Sequence, residues 1–169
     1  FPAANVQYHT GDCNTVARSI ADQLPESTLI LAFIDSWAYD LTFDSLADLA
    51  HRRPTDLIVT FHHAAIKRNA QRQIAAVDKF LDDPTWRQRY EAAKGDPSQP
   101  PTVVLINTFR DRLADRLGYT HFGDPEVIRN NNGSPMFYLL FASRHPRGLD
   151  FWKKASAKLP TGQRRLNMT

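Results

Sequence analysis

Three observations in the sequence predict an α/β fold built on a mixed sheet. Leu29–Ile34 and Asp56–Phe61 are short, nearly continuous apolar runs, the mark of strands buried on both faces. Helical spacing of apolar residues separates these runs. After Gly118 the period changes, and Asn130-Asn-Asn-Gly133 supplies turn chemistry for a hairpin. The first 63 residues therefore read strand, helix, strand, helix, strand. That alternation implies parallel strands with right-handed crossovers. The expected architecture is three parallel strands, ending near Thr10, Ile34 and Phe61, plus a C-terminal antiparallel β-hairpin.

Each element has its own reason. Val6–Thr10 is short and β-prone, and Gly11-Asp12 ends it. Cys13–Leu24 carries apolar residues at 16, 17, 20, 21 and 24, a helical period, and Pro25 stops it. Phe43–Arg52 reads as a short helix with Asp44 or Ser45 near its start. From Ala64 to Tyr90 the pattern is polar and helical, broken at Asp82-Asp-Pro84, and Thr85–Ala93 resumes it. Lys94–Pro101 is an internal loop, because too little chain follows to build a second core. Thr102–Leu117 is an amphipathic helix capped by Gly118. Thr120–Arg129 and Pro135–Ala142 form the hairpin strands. Gly148–Lys158 is helical, and the basic tail from Pro160 is frayed.

The chain has 169 residues, one domain's worth, with 42 % hydrophobic and 23 % charged residues. A chain of this length buries roughly 70 % of its unfolded surface, so it needs no staples. The single cysteine, Cys13, excludes a disulfide within the chain and fits a reducing, cytoplasmic setting. No apolar run approaches the roughly 20 residues of a membrane span, so no membrane partner is expected. A net charge of +3 is compatible with an anionic partner without demanding one.

In open α/β sheets, ligands bind past the C-terminal ends of parallel strands. Asp35-Ser-Trp37-Ala-Tyr39 follows the strand that ends at Ile34. A carboxylate there can accept hydrogen bonds from an amino group; it can also be a helix cap or a loop ion pair. His62-His63 follows the next strand, where a histidine can serve as a general base. No further ligands stand at metal-site spacing. Asp12 is placed equally well to cap the helix from Cys13. Cys13 reads as a buried structural thiol, and Trp86 and Trp152 as packing residues. Arg144 and Arg147, in Ser143-Arg-His-Pro-Arg147, are candidates for phosphate contact beside scattered surface cations.

The order of elements resembles the second half of the methyltransferase variant of the Rossmann-like, doubly wound fold, where the last strand is antiparallel and lies beside its hairpin partner. More specifically, the chain resembles the bacterial three-Cys-motif partner (TcmP) family. The resemblance is carried by Gly11-Asp-Cys-Asn14, Ala32-Phe-Ile-Asp-Ser-Trp-Ala-Tyr39, Asp56–Phe61 and, above all, Tyr138–Trp152. These pieces are spread between residues 11 and 152, across most of the chain's length. The family's usual proline and glycine near the aspartate are replaced by Ser36 and Ala38. The family is named for its neighbour, a radical-SAM-like protein with three cysteines, and that protein is an expected partner.

The resemblance implies a methyltransferase-like protein acting on nucleic acid, with S-adenosylmethionine as cofactor. It places Gly11, Asp12 and Asn14 at the cofactor, with Asp12 bonded to the adenine amino group. It places Asp35 and Trp37 at the reaction, with Asp35 taking hydrogen bonds from the target amine, and Trp37 and Tyr39 stacking on a flipped base; His62, from its place after the next strand, is the third catalytic candidate. Tyr39, Arg144 and Arg147 would contact nucleic acid. No Gly-x-Gly occurs in the chain, so it reads as the C-terminal part of a longer protein, weak alone for S-adenosylmethionine. The alternative is a non-catalytic partner module that keeps the fold. A sheet lacking neighbours for its strands is also expected to self-associate, rearrange, or take in another segment.

Overall fold

The computed structural model describes residues 6–35, 39–51, 53–69 and 74–157. Among them are seven helices and one open five-stranded mixed sheet. The order is α1 (Cys13–Gln23), β1 (Ile30–Ile34), α2 (Phe43–His51), β2 (Thr55–Phe61), α3 (His63–Asn69), α4 (Ile74–Leu81) and α5 (Trp86–Ala93). Then come α6 (Pro101–Leu117), β3 (His121–Phe122), β4 (Glu126–Arg129), β5 (Pro135–Ser143) and α7 (Pro146–Ser156).

The sheet runs β1-β2-β5-β3, with β4 also paired to β5. β1 and β2 are parallel, Ile30 opposite Thr55 and Ile34 opposite Val59. β5 is antiparallel to β2, Phe61 opposite Tyr138 and Leu57 opposite Ala142. The β4–β5 turn is held by Asn130, whose Oδ1 accepts the N–H groups of Asn132 and Ser134.

Two expectations are corrected here. Val6–Thr10 is not a strand, so the described sheet has two parallel strands, not three. Its only large apolar residues, Val6 and Tyr8, are exposed, and without a neighbouring strand or a covered face a short β-prone run gains nothing from extension. The Leu29–Ile34 run is not buried on both faces. β1 is the edge of the sheet: Ala32 and Ile34 pack on the core, while Leu31 and Phe33 are 64 % and 59 % exposed. The hairpin is as expected, except that Gly123-Asp-Pro125 divides its first strand into β3 and β4.

The core lies on one face of the sheet. Leu57, Val59 and Phe61 of β2 and Leu140 and Ala142 of β5 meet Leu46 of α2, Phe80 of α4, and Phe109 and Leu113 of α6. Aromatic rings organise it. Phe80 and Phe109 stack at 5.0 Å, Phe61 lies 5.9 Å from each, and Tyr39 sits 5.3 Å from Phe80. Such pairs add about 0.5–1.5 kcal/mol beyond their buried area. On the other face α7 lays Trp152 flat on Phe141, ring centres 5.1 Å apart. Gly148 permits that approach, since a Cβ there would strike Ser143 and the Asp56 carboxylate.

The helix ends follow local chemistry. Gly118, at φ 70°, closes α6: its N–H donates to Ala114 O, and that of Tyr119 to Leu113 O. α7 starts two residues before the expected Gly148, because Pro146 suits the first turn and His145 Nδ1 accepts the Arg147 N–H. Asp82 ends α4 at φ 52°, where Asp is tolerated. Arg112 and Arg116 each donate to its carboxylate at 2.7 Å. Burial alone would raise the Asp82 pKa, but the bonds from Arg116 and Arg112 outweigh it and hold it below the usual carboxylate value.

Asp82→Asn keeps the backbone tolerance and removes the charge. Urea unfolding at neutral pH should show a loss of about 1 kcal/mol. A depressed carboxylate stabilises above its unfolded pKa of about 3.9 and loses that contribution as pH falls through the folded value. The gap between wild type and variant should therefore close in acid; a gap that persists there would show that the charge is not its cause.

Candidate functional site

Because β1 and β2 are parallel, the residues just past them share one edge of the sheet. Asp35 and His62 meet there, with Asp35 Oδ1 3.9 Å from His62 Nε2. Thr60, one residue before the end of β2, is the positioning group: its Oγ1 donates to Asp35 Oδ1 at 2.8 Å and lies 3.2 Å from Ile34 O. The Asp35 side chain stays 65 % exposed, its remaining acceptor positions facing solvent. His62 is 27 % exposed and lies 5.2 Å, ring to ring, from Phe137 of β5. The edge thus joins a carboxylate with one oxygen fixed, an imidazole within a water's reach, and an aromatic wall. That set can hold an amino group and move a proton.

The start of α1 is brought to the same edge. Asp12 Oδ1 accepts the Asn14 N–H at 3.0 Å and Asn14 Nδ2 at 3.1 Å, so Asp12 caps the helix. Asn14 then spans to the segment after β1. Its Nδ2 donates to Asp40 O at 2.7 Å, and its Oδ1 accepts from the Thr42 N–H at 2.9 Å and Ser45 Oγ at 2.6 Å. Between α1 and β1 lies an apolar groove of about 250 Å³, lined by Val16, Ile20, Phe33 and Ile34, with Asp35 at its wall.

This arrangement bears on S-adenosylmethionine. Asn14 has both carboxamide atoms engaged within the protein, and one Asp12 oxygen is committed to the cap. Gly11, at φ 147°, is a hinge into α1, not part of a glycine-rich turn. The described residues do not by themselves build a site for that cofactor. Nor do any of the described His, Cys, Asp and Glu side chains group to hold a metal ion.

Several candidates stand elsewhere. Tyr39 is no base-stacking platform. It is buried in the aromatic core, and its hydroxyl donates to His62 O at 2.5 Å, fixing the backbone of the histidine. Burial also raises its pKa, so the hydroxyl remains a donor. Arg144 is no phosphate contact: it donates to Ala50 O at 2.7 Å and Leu117 O at 2.8 Å and lies over the Tyr119 ring. A short basic motif gave no sign that its arginine would be consumed by the ends of α2 and α6. Arg147 is exposed, at the opposite end of the sheet from Asp35. Trp37 lies outside the described residues. Cys13 is exposed, not buried, because it opens α1 at the surface. Partial burial and the Asp12 charge raise its pKa and so lower its reactivity. Trp86 and Trp152 pack as expected. Thr60 and Phe137 carry no signal of their own in the sequence, where each is one more residue of an apolar strand.

No protein-family model, curated protein or solved structure matches the chain. No described helix is long and apolar enough to cross a membrane.

Arg144→Ala should cost about 2–3 kcal/mol in thermal or urea unfolding, since two helix-end carbonyls lose a charged donor. Arg147→Ala should stay within about 0.5 kcal/mol of wild type. Equal effects would contradict the division of roles.

Proposed function

We propose that the chain is the acceptor-binding part of a methyltransferase-like protein of the three-Cys-motif partner type, acting on an amino group of a nucleic-acid base. The observation that carries this reading is the Asp35 carboxylate, fixed at 2.8 Å by Thr60 and open to solvent, with His62 beside it. The sheet supports it as well. The reversed β5 lies between β2 and β4, the order the methyltransferase resemblance implies for its C-terminal strands. In this reading Asp35 accepts the exocyclic N–H and orients the amine. His62 Nε2 takes up the proton that the amine gives up. Phe137 supplies an aromatic surface next to the base. S-adenosylmethionine would supply the methyl group in the full-length protein.

A second reading keeps the edge as a binding site without methyl transfer, in a partner module for the radical-SAM-like three-Cys-motif protein. It is favoured by the engagement of Asn14 inside the protein.

Fluorescence anisotropy with single-stranded oligonucleotides separates base recognition from charge. Adenine- or cytosine-containing strands should bind more tightly than inosine- or uracil-containing ones, and Asp35→Asn should erase most of that preference, about tenfold. Equal binding of all four would refute an amine site. Calorimetry with S-adenosylmethionine should show weak or no binding to this chain; micromolar affinity would remove the second reading.

A further inference from the structure

The two edges of the sheet differ. On one side β3 has two residues and β4 four, with a register irregularity at Ile128/Arg129, a blunted edge. On the other side stands β1. Leu29–Ile34 contains no charge, no proline and no glycine, so it lacks the usual devices that keep a sheet edge from pairing. No strand among the described residues pairs with its outer side.

The backbone polarity of that edge can be read. The Ile30 N–H donates to Pro54 O, and Ile34 O lies 3.2 Å from Thr60 Oγ1, so residues 30, 32 and 34 turn their backbone groups toward β2. By alternation, Leu31 and Phe33 present their N–H and C=O groups outward. Their side chains stand 64 % and 59 % exposed on the face opposite the core. At its C-terminal end the strand borders the apolar groove that Phe33 and Ile34, one from each face, share with Val16 and Ile20 of α1. An occupant must therefore be an extended segment, uncharged and apolar on both faces.

β1 is itself such a segment, and among the described residues no strand pairs with its outer edge. We propose that β1 joins two copies of this chain as an antiparallel pair about a two-fold axis at Ala32. Leu31 of one copy then lies opposite Phe33 of the other, and each of the two pairs exchanges both N–H···O=C bonds. Ala32 faces its own counterpart at a non-hydrogen-bonded position, where strands approach most closely and the small side chain fits. A two-fold perpendicular to the sheet keeps like faces together. The Leu31 and Phe33 rows merge on the open face, and Ile30 and Ile34 continue the core face toward the grooves under α1. The contact is isologous and closes, so it consumes both free edges at once and yields a dimer. A five-residue strand buries less than the ~800 Å² per partner of a standard interface, so the dimer is weak, with dissociation in the range of tens of micromolar.

Sedimentation equilibrium of the chain over about 5–200 µM tests this. The wild type should pass from monomer to dimer. Leu31→Lys combined with Phe33→Lys should remain monomeric with an unchanged far-ultraviolet spectrum, because both positions are already exposed and the lysines of the two copies would oppose each other. In a Cys13→Ser background, Ala32→Cys should form a disulfide-linked dimer on mild oxidation. A wild type that stays monomeric throughout overturns the proposal. So does a dimer indifferent to the two lysines, or a monomer whose Leu31 and Phe33 amides resist hydrogen exchange because another segment covers them.

Discussion

The aromatic cluster on the covered face of the sheet is the constraint on which the other features depend. Phe61 comes from β2, Phe80 from α4, Phe109 from α6 and Tyr39 from the segment after β1. Planar rings at 5–6 Å interlock in few ways, so the cluster sets where the helices cross the strands. It also reaches the candidate site. Tyr39 leaves its ring in the core and sends its hydroxyl to His62 O. The same packing that stabilises the fold thereby fixes the turn that carries the imidazole.

A second layer of order comes from arginines turned inward. Arg144 binds the last carbonyls of α2 and α6, Arg53 donates to the carbonyls of Leu24 and Pro25, and Arg110 donates to Gly123 O. Each donates to carbonyls at a helix end or a turn, where backbone partners are scarce. Part of the chain's positive charge is therefore structural, and the +3 balance overstates what is available to an anionic partner.

Much of the fold was legible because it is local. The apolar runs of β1, β2 and β5, the period of α6, Gly118 at its end and the Asn-Gly turn all announce themselves within a few residues. What was not legible depends on neighbours. Val6–Thr10 has strand-like residues but no strand to join. Leu29–Ile34 has the composition of a central strand yet lies at an edge, and composition does not report position in a sheet. The site divided the same way. Asp35 and His62 follow from the rule for strand ends. Thr60, Phe137 and the true role of Tyr39 depend on contacts across 23 to 25 residues or more, which no spacing reveals.

Asn14 has a consequence for motion. α1 buries only Ala17 and Ala21, and its first turn is moored through one carboxamide to Asp40, Thr42 and Ser45. A helix held by so little apolar contact belongs to the low end of the local-unfolding scale, well below the ringed core. Its excursions would have to release Asn14, the Arg18–Asp48 ion pair and the bonds from Arg53 to Leu24 O and Pro25 O, all of them polar, while the sheet stays intact. Breathing of one helix, rather than rearrangement of the whole molecule, is then the least costly motion along this flank of the protein.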